Sequence, residues 1–272
     1  MTLLSLSEKV AVITGGASGI GLAVAQALAR EKARLVLADV DDAALAAAVE
    51  DLRSSGAQVI GARTDVSQAD QMEALADAAW SAYGAVHLVM HNAGVALFGP
   101  TQDMSQDDWN WVVAVNLWGP IHGARIFIPR MLAGGQEGHH VFTASLAGLV
   151  PNRELGPYNV TKAAVVALAE SLRKDLRETP LGVSVLCPMR VTSNIDDSYR
   201  HRPAELGGAI VNTYTPEEKA ALQGRTLEAP AVAQLVLDGV RRDQFYIHTH
   251  QEAEALFRRR ADRIAADFKW AF

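Results

Sequence analysis

Cysteine is nearly absent from this chain of 272 residues, which contains only Cys187. A single cysteine cannot form an internal disulfide, and this fits a reducing compartment. The N-terminal stretch MTLLSLSEKV lacks both a basic start and a long apolar core, so it does not predict a secretion signal. We therefore expect a cytoplasmic protein.

Long uncharged apolar runs and an excess of basic residues are missing as well. The most apolar region, residues 109–132, contains Arg125 and Arg130 and falls short of the roughly 20 apolar residues that span a bilayer. The formal net charge is -6, whereas nucleic-acid binding depends on clustered Lys and Arg. The basic residues 258–260 have acidic neighbours and are interpreted as a solvated helix face. We predict neither a membrane nor a nucleic-acid partner.

Short apolar runs, by contrast, are abundant, and most of them are followed by a segment of helical periodicity. Hydrophobic residues make up 49% of the chain and charged residues 21%, which is enough apolar material for a substantial core. Alternating strands and helices predict an α/β fold, with a doubly wound parallel sheet of about seven strands and helices on both faces. No repeat or linker interrupts the pattern, so residues 1–272 are expected to form a single catalytic domain. The predicted strands are residues 10–14, 34–38, 58–63, 86–91, 139–144, 183–186 and 245–248.

The periodicity breaks down after Pro188, where charged residues, Gly207 and Gly208 interrupt any regular pattern. A segment this long without helix or strand signals is usually functional or mobile in a compact domain. We expect residues 189–225 to form a substrate loop.

A glycine-rich turn, residues 15–21, joins the first predicted strand to the first predicted helix. Glycines allow close backbone approach, and the free N-H groups at a positive helix end bind the pyrophosphate of a dinucleotide. The turn is therefore typical of a Rossmann-type domain. Its predicted cofactor-binding residues are Gly15, Ser18, Gly19, Ile20 and Gly21.

Asp39 ends the second strand, 18 residues after Gly21. A carboxylate near this offset accepts hydrogen bonds from the adenosine ribose and repels a 2'-phosphate, so NAD is favoured over NADP. Neither Ser18 nor Val40 supplies a cation for a 2'-phosphate. The alternative role for Asp39 is the N-cap of the next helix, which Asp41 or Asp42 could also provide.

Tyr158 and Lys162 are four residues apart, in a segment compatible with a helix, and this spacing puts both side chains on one helix face. A nearby cation favours the phenolate, so Lys162 is expected to lower the pKa of Tyr158 and make it a general acid and base. In isolation, the same spacing on an amphipathic helix has no functional meaning.

The combined motifs resemble the short-chain dehydrogenase/reductase family over nearly the whole chain. The pattern T-G-x-x-x-G-x-G matches residues 14–21, and Ser145 precedes Tyr158 by 13 residues, the interval usual in that family. Asn116 falls where the family places a catalytic asparagine. The matching adenine-contacting pair and N-A-G turn comprise Asp65, Val66, Asn92, Ala93 and Gly94.

The resemblance implies reversible hydride transfer between a nicotinamide and an alcohol or carbonyl. Tyr158 would exchange the proton, Ser145 would bind the substrate oxygen, and Lys162 would also hold the nicotinamide ribose. Asn116 would support a water that links Lys162 to solvent. The family also implies a homotetramer, with a dimer as second choice, because the helices that carry Asn116 and Tyr158 pack across subunits in its members. Further implied cofactor contacts are Pro188, Val191 and Ser193.

Three positions depart from the family pattern. His91 stands where Asn is frequent, beside the N-A-G turn. Met189 replaces the usual glycine after Pro188 and is expected either to shape the pocket wall or to pack as an adaptable core filler. Ser193 replaces a threonine but keeps its hydroxyl.

The expected substrate pocket is largely apolar, which favours a bulky, apolar secondary alcohol or ketone. It comprises Ala96, Leu146, Leu149, Leu155 and Met189, with Val150 and either Tyr199 or Tyr214 as further candidates. An anionic substrate group remains the alternative if the loop turns inward with Arg190, Arg200, His201 and Arg202.

Two histidines, His248 and His250, share one face of a predicted strand. They lack a carboxylate or cysteine at metal-ligand spacing, so we predict a structural role and no metal. Two other functions of the same fold stay open at this point: a non-catalytic dinucleotide sensor or scaffold, and an epimerase or lyase that recycles its cofactor.

Overall fold

Seven parallel strands form the central sheet in a computed structural model that describes residues 5–209 and 225–268. Their order, β3-β2-β1-β4-β5-β6-β9, confirms the predicted doubly wound sheet. The strands are β1 (Val10–Thr14), β2 (Arg34–Asp39), β3 (Gln58–Arg63), β4 (Leu88–His91), β5 (Gly138–Thr143), β6 (Leu181–Cys187) and β9 (Tyr246–His248).

Helices cover both faces of this sheet. Their bounds are α1 (Gly19–Arg30), α2 (Asp42–Ser54), α3 (Ala69–Tyr83), α4 (Gln106–Val113), α5 (Gly119–Gly134), α6 (Gly156–Asp175), α7 (Ala229–Arg241) and α8 (Ala253–Ala266). One core cluster joins the sheet to α1, α2 and α7. The other joins it to α3, α5 and α6. Every residue of β1 and β6 is buried, as expected for parallel strands that are covered on both sides.

The strand order reverses at β1, which pairs with β2 on one side and with β4 on the other. Chain connections leave this point in opposite directions, and a crevice opens beyond the carboxyl ends of the two strands. The glycine-rich turn follows β1, and the N-A-G turn follows β4. The topology therefore brings these two motifs together.

The long helical region between β4 and β5 is divided by a π segment, Ala114–Trp118. Ser105 and Asp108 form a capping box that starts α4. The π segment widens the helix between α4 and α5, and it contains Asn116. Such bulges are often found at functional sites.

The predicted irregular segment after β6 contains a small two-stranded sheet. β7 (Arg190–Val191) pairs in parallel with β8 (Thr226–Leu227). Two 3-10 turns lie between them in sequence, Ile195–His201 and Ala204–Leu206. Tyr214 and much of the expected substrate loop lie outside the described residues.

Within residues 5–209 and 225–268, no helix combines the length and the apolarity needed to cross a membrane. The same residues contain no group of three or more His, Cys, Asp or Glu side chains placed to hold a metal ion. His250 bonds through Nε2 to the Arg225 carbonyl at 3.1 Å, and His248 stacks on Tyr246.

Two histidines occupy the core between the sheet and α5. His91 Nε2 lies 3.1 Å from His140 Nδ1, and the His91 ring stacks on Phe142. A side chain at Gly123 would collide with the His91 ring, with contacts of 2.4 Å. His91 thus packs against α5, so the departure from the family pattern at this position does not alter the cleft wall.

Burial controls the protonation of both rings. It lowers the pKa of His91 to about 3 and holds the pKa of His140 well below its usual value, because the charged forms would lose their hydration. An unfolded chain binds these protons near the ordinary histidine pKa of about 6.5. Protonation therefore favours the unfolded state at acid pH.

We predict that stability falls as the pH drops from about 6.5 towards 4, by up to about 1.4 kcal/mol per pH unit for each of the two rings. The double variant His91→Asn/His140→Asn should have a lower Tm at neutral pH and a shallower fall of Tm with acid. Thermal melts from neutral to acid pH measure both, with His201→Asn as a control. An unchanged slope in the double variant would contradict this account.

Candidate active site

A cleft of about 810 Å³ opens at the carboxyl ends of β1 and β4. The predicted cofactor, catalytic and pocket residues line it, with the exceptions of Gly21, Asn116 and Leu149. Gly21 and Asn116 lie directly behind residues of the wall, as their contacts below show. The structure therefore gathers nearly all the residues singled out from the sequence around one space.

The glycine-rich turn is packed too tightly for side chains at two of its positions. A Cβ at Gly21 would lie 2.1 Å from the Gly15 carbonyl oxygen. Gly15 has a φ of +64°, and a Cβ there would lie 2.9 Å from the Ala93 Cα. Gly19 has a φ of +53° and faces Ser193. Glycine is required here by both space and backbone conformation.

The N-terminus of α1 faces the cleft, and its partial positive charge is not compensated by a side chain of its first turn. Ser18 is its N-cap and makes no side-chain capping bond, and the first turn contains no acidic residue. Uncapped N-H groups and the helix dipole favour an anion at this point. Ser18, Gly19 and Ile20 line the cleft, so the site fits the pyrophosphate of a dinucleotide.

Asp39 lies beside this turn at the end of β2. Its Oδ2 accepts a hydrogen bond from the Ala17 N-H at 3.1 Å, and its Oδ1 accepts one from the Asp41 N-H at 3.2 Å. Asp41, not Asp39, caps α2 by accepting from the Ala44 N-H. The carboxylate of Asp39 is thus held in the cleft wall by backbone bonds, and the N-cap alternative is wrong.

The predicted adenine-contacting pair follows β3. Asp65 Oδ1 accepts hydrogen bonds from the N-H and hydroxyl of Ser67, at 2.9 and 2.7 Å. Val66 packs on Gly119, where a Cβ would lie 2.8 Å from its Cγ2. Both residues line the cleft.

Thr14 and Asn92 join the two turns of the crevice. The Thr14 hydroxyl accepts hydrogen bonds from the N-H groups of Asn92 and Ala93, at 3.0 and 3.2 Å. Asn92 Nδ2 donates to the Gly15 carbonyl at 3.1 Å. These bonds fix the N-A-G turn against the glycine-rich turn.

Lys162 is almost fully buried in α6, with 3% exposure. Its Nζ donates to the Thr143 carbonyl at 2.8 Å and lies 5.5 Å from the centre of the Tyr158 ring. Burial lowers the pKa of Lys162 to about 8, an effect that Cys187 partly opposes. The ammonium thus remains largely charged at neutral pH.

Tyr158 lies close to Ser145, which follows β5 by two residues. Desolvation raises the pKa of Tyr158, Ser145 lowers it and the charge of Asp196 raises it, and these effects together give a pKa of about 12. This is opposite to the direction expected from Lys162 alone, because Lys162 lies over the face of the ring and desolvation dominates. In this state Tyr158 is a neutral phenol at neutral pH.

Ser145 is itself oriented by backbone groups. Its hydroxyl donates to the Pro188 carbonyl at 3.3 Å and accepts from the Ala147 N-H at 3.1 Å. The second bond caps the short 3-10 turn Leu146–Gly148. The Ser145 hydroxyl therefore caps the 3-10 turn and also lies beside Tyr158.

Asn116 is fully buried, and its amide connects the π segment to the neighbouring elements. Oδ1 accepts from the Val95 N-H at 2.8 Å, and Nδ2 donates to the Val95 carbonyl at 2.9 Å and to the Thr161 hydroxyl at 3.3 Å. Both N-H groups of the amide are thus already used by protein atoms. The side chain positions the wall behind Lys162.

The segment after β6 forms the opposite wall. Pro188, Val191 and Ser193 line the cleft, as predicted. Met189 is partly exposed to the same space. It therefore forms part of the pocket wall and is not a core filler.

The predicted pocket residues Ala96, Leu146 and Leu155 line the cleft. Leu149 does not; it packs against the core cluster formed with α3, α5 and α6. Tyr199 packs on a separate cluster around Trp111 and Val112. Lining residues that the sequence patterns did not indicate include Trp111, Val115, Asn152, Ile195, Asp196, Leu206 and Leu256.

The basic residues of the loop are already paired with carboxylates. Arg202 is buried, bonds to Asp108 at 2.6 Å and lies over the Trp111 ring. Arg200 and His201 line the cleft, each 3.7 Å from Asp41. Arg190 pairs with Asp196.

The fold and the site define a class of protein: an α/β oxidoreductase of the dinucleotide-binding type, in which Ser145, Tyr158 and Lys162 line one cleft. The short chain dehydrogenase family profile matches residues 9–204. The chain belongs to the short-chain dehydrogenase/reductase family.

Three relatives illustrate the similarity. A solved short chain dehydrogenase/reductase from Burkholderia phymatum, in complex with NAD, is 43% identical, superposes with a TM-score of 0.91 and matches over 97% of each chain. A C alpha-dehydrogenase from Sphingobium sp. is 36% identical over 90% of this chain and 81% of its own. A 1-deoxy-11-beta-hydroxypentalenate dehydrogenase from Streptomyces avermitilis is 36% identical over 92% and 88%, respectively.

We predict that Gly21→Ala weakens dinucleotide binding at least tenfold and lowers the free energy of unfolding by about 1–3 kcal/mol, because its Cβ would displace the Gly15 carbonyl. Calorimetric titration with NAD and thermal melts measure the two effects. Gly134→Ala is the matched control, since a Cβ at that helical glycine meets nothing within 4 Å. Equal NAD affinity in both variants would contradict the close-packed role of Gly21.

Proposed function

We propose that the protein is an NAD-dependent oxidoreductase that interconverts a secondary alcohol and a ketone. The single observation that carries this proposal is the arrangement of Ser145, Tyr158 and Lys162 beside the uncapped N-terminus of α1 in one cleft. Relatives named as dehydrogenases, one of them of a hydroxylated compound, support the reaction class.

When bound, NAD supplies the hydride acceptor, and its reduced form supplies the hydride. The residues that would hold it are those of the glycine-rich turn, Asp39, the pair at 65–66, the N-A-G turn and Lys162, together with Pro188, Val191 and Ser193. The absence of acidic residues from the first turn of α1 fits the charge of the pyrophosphate.

Tyr158 exchanges the proton with the substrate oxygen. As a neutral phenol it can donate a proton to a ketone oxygen during reduction, and as a phenolate it can take one from an alcohol during oxidation. When substrate is bound, Ser145 turns its hydroxyl hydrogen from the Pro188 carbonyl to the same substrate oxygen and stabilises its developing charge. Lys162, on the adjacent turn of α6, supplies the positive charge that favours the phenolate once the site is loaded.

The expected substrate is bulky and largely apolar. Trp111, Leu146, Leu155 and Met189 contribute most of the apolar wall near Tyr158. Residues 189–225 serve as the substrate loop, because residues in the described part of this segment line the cleft.

The cofactor preference follows from Asp39. Its carboxylate has both oxygens tied to backbone N-H groups, so it cannot turn away from a 2'-phosphate without breaking those bonds. The charge repulsion disfavours NADP. Arg200 and His201 lie nearby, but both are directed to Asp41.

A homotetramer is the proposed assembly. Trp118, at the end of the π segment, is 47% exposed, and Val160 in α6 is 53% exposed. Both belong to the helical layer that carries Asn116 and Tyr158. Apolar side chains left in solvent on two neighbouring elements favour packing across subunits over tighter packing within one chain.

We predict that Tyr158→Phe lowers kcat by about 10²-fold or more and leaves the affinity for NAD nearly unchanged, because only the proton-exchanging hydroxyl is removed. Initial rates with a panel of apolar secondary alcohols and calorimetric titration with NAD measure the two effects. Tyr83→Phe is the control, since Tyr83 ends α3 and does not line the cleft. A Tyr158→Phe enzyme with wild-type kcat would refute the acid-base role.

We predict that wild-type enzyme uses NAD in preference to NADP, and that Asp39→Ala reduces this preference about tenfold or more by removing the repelling charge. The kcat/KM values for both cofactors, with one alcohol held at saturation, give the ratio. Asp42→Ala is the matched control, because Asp42 lies in α2 and does not line the cleft. A wild type that already prefers NADP would overturn the assignment of Asp39.

A further inference from the structure

Arg190 and Asp196 form an ion pair within the wall of the cleft. Arg190 Nη2 lies 3.5 Å from Asp196 Oδ2, and the two side chains are only 20% and 22% exposed. Both residues line the cleft. Arg190 starts β7 two residues after Pro188, and Asp196 belongs to the 3-10 turn Ile195–His201. The pair thus adds a largely buried pair of charges to the wall of the cleft.

Arg190 has hydrogen-bonding capacity that its ion pair does not use. Its Nη1 is buried and has no hydrogen-bond partner among the described residues. A buried donor without an acceptor is unfavourable, so an acceptor brought by a ligand would be bound preferentially. Nη1 and the Asp196 carboxylate together offer a donor beside an acceptor.

The position of Arg190 assigns the pair to the reacting end of the cleft. Arg190 follows Pro188 by two residues, and the Pro188 carbonyl accepts a hydrogen bond from the Ser145 hydroxyl at 3.3 Å. In keeping with this position, the negative charge of Asp196 contributes to the raised pKa of Tyr158. A carboxylate there makes the phenolate harder to form, so proton exchange alone does not explain its presence. Recognition of a ligand group near the reacting carbon does explain it.

The charge of the pair limits the chemistry of that group. Arg190 is already neutralised by Asp196, so a substrate carboxylate would meet repulsion from the aspartate. A purely apolar substrate would leave Nη1 without a partner. A hydroxyl satisfies both members, because its oxygen accepts from Arg190 and its hydrogen is donated to Asp196.

We propose that Arg190 and Asp196 select substrates that carry a second, uncharged hydroxyl next to the reacting carbon, as in a vicinal diol or an α-hydroxy ketone. This inference rests on the proposed function and refines it. The body of the substrate is apolar, and the ion pair binds one further hydroxyl oxygen of the substrate. The two residues are specificity determinants and take no part in the proton exchange.

The test compares two alcohols that differ only in this group, 1-phenylethanol and 1-phenyl-1,2-ethanediol, with NAD saturating. The wild type should favour the diol in kcat/KM by about tenfold or more. The double variant Arg190→Gln/Asp196→Asn, measured at its own pH optimum, should lose that preference and keep its activity with the mono-alcohol within about threefold. Arg125→Gln, outside the cleft wall, is the control and should retain the preference.

Two results would overturn the proposal: a wild type without preference for the diol, or a double variant that loses activity equally with both alcohols. The variant Asp196→Asn adds an independent check, since removal of its charge should shift the pH profile of alcohol oxidation towards lower pH. No shift would contradict the position of Asp196 beside Tyr158.

Failure of the proposed function is distinguishable from failure of this inference. If wild-type enzyme oxidises neither alcohol, calorimetric titration of both into the protein loaded with NAD replaces the kinetic ratio. If the wild type binds the diol more tightly than the mono-alcohol and the double variant does not, the ion-pair subsite is supported even though no turnover is observed. Equal or undetectable binding of the two alcohols would refute it.

Discussion

The buried ammonium of Lys162 is the constraint on which the rest of the site depends. A charge with 3% exposure must find its stabilisation within the protein, and it does so from the Thr143 carbonyl and the face of Tyr158. The surrounding backbone has to come close: a Cβ at Gly94 would lie 3.3 Å from Nζ, and one at Gly148 would lie 2.5 Å from the Lys162 carbonyl oxygen. The cost of burying this charge explains why its pKa falls to about 8.

A continuous set of hydrogen bonds connects this charge to the glycine-rich turn. Lys162 donates to the Thr143 carbonyl, the Thr143 hydroxyl donates to Asn92 Oδ1 at 3.3 Å, and Asn92 Nδ2 donates to the Gly15 carbonyl. The strand reversal at β1 makes these contacts possible, because it places the ends of β1, β4 and β5 side by side. The glycine-rich turn and Lys162 are therefore parts of one hydrogen-bonded unit.

The fold and most of the cleft could be predicted from local patterns. Strands β1 and β3 begin and end where the sequence predicts, since each is an uninterrupted apolar or amphipathic block. The cleft residues came from motifs with fixed spacing. The prediction that Leu149 lines the pocket was wrong because an apolar side chain fits the core equally well. Periodicity cannot tell whether a residue of a short turn faces the cleft or the core.

Other features depend on three-dimensional surroundings that no local pattern contains. Trp111 lies on a helix whose apolar positions look like ordinary core, and only the packing of residues 195–206 makes it a pocket wall. The pKa of Tyr158 depends on desolvation and on Asp196, which is 38 residues away along the chain. His91 could not be assigned to the core without knowledge that Gly123 leaves room for its ring.

The central claim is that this cleft carries out net hydride transfer coupled to proton exchange. Its most direct test is the absorbance of reduced nicotinamide when purified protein, NAD and a panel of aryl, steroid and aliphatic secondary alcohols are mixed. The account predicts that NADH accumulates with at least one class, in step with the matching ketone. NAD that binds and stays oxidised across the panel, or an alcohol converted without net NADH, would contradict it.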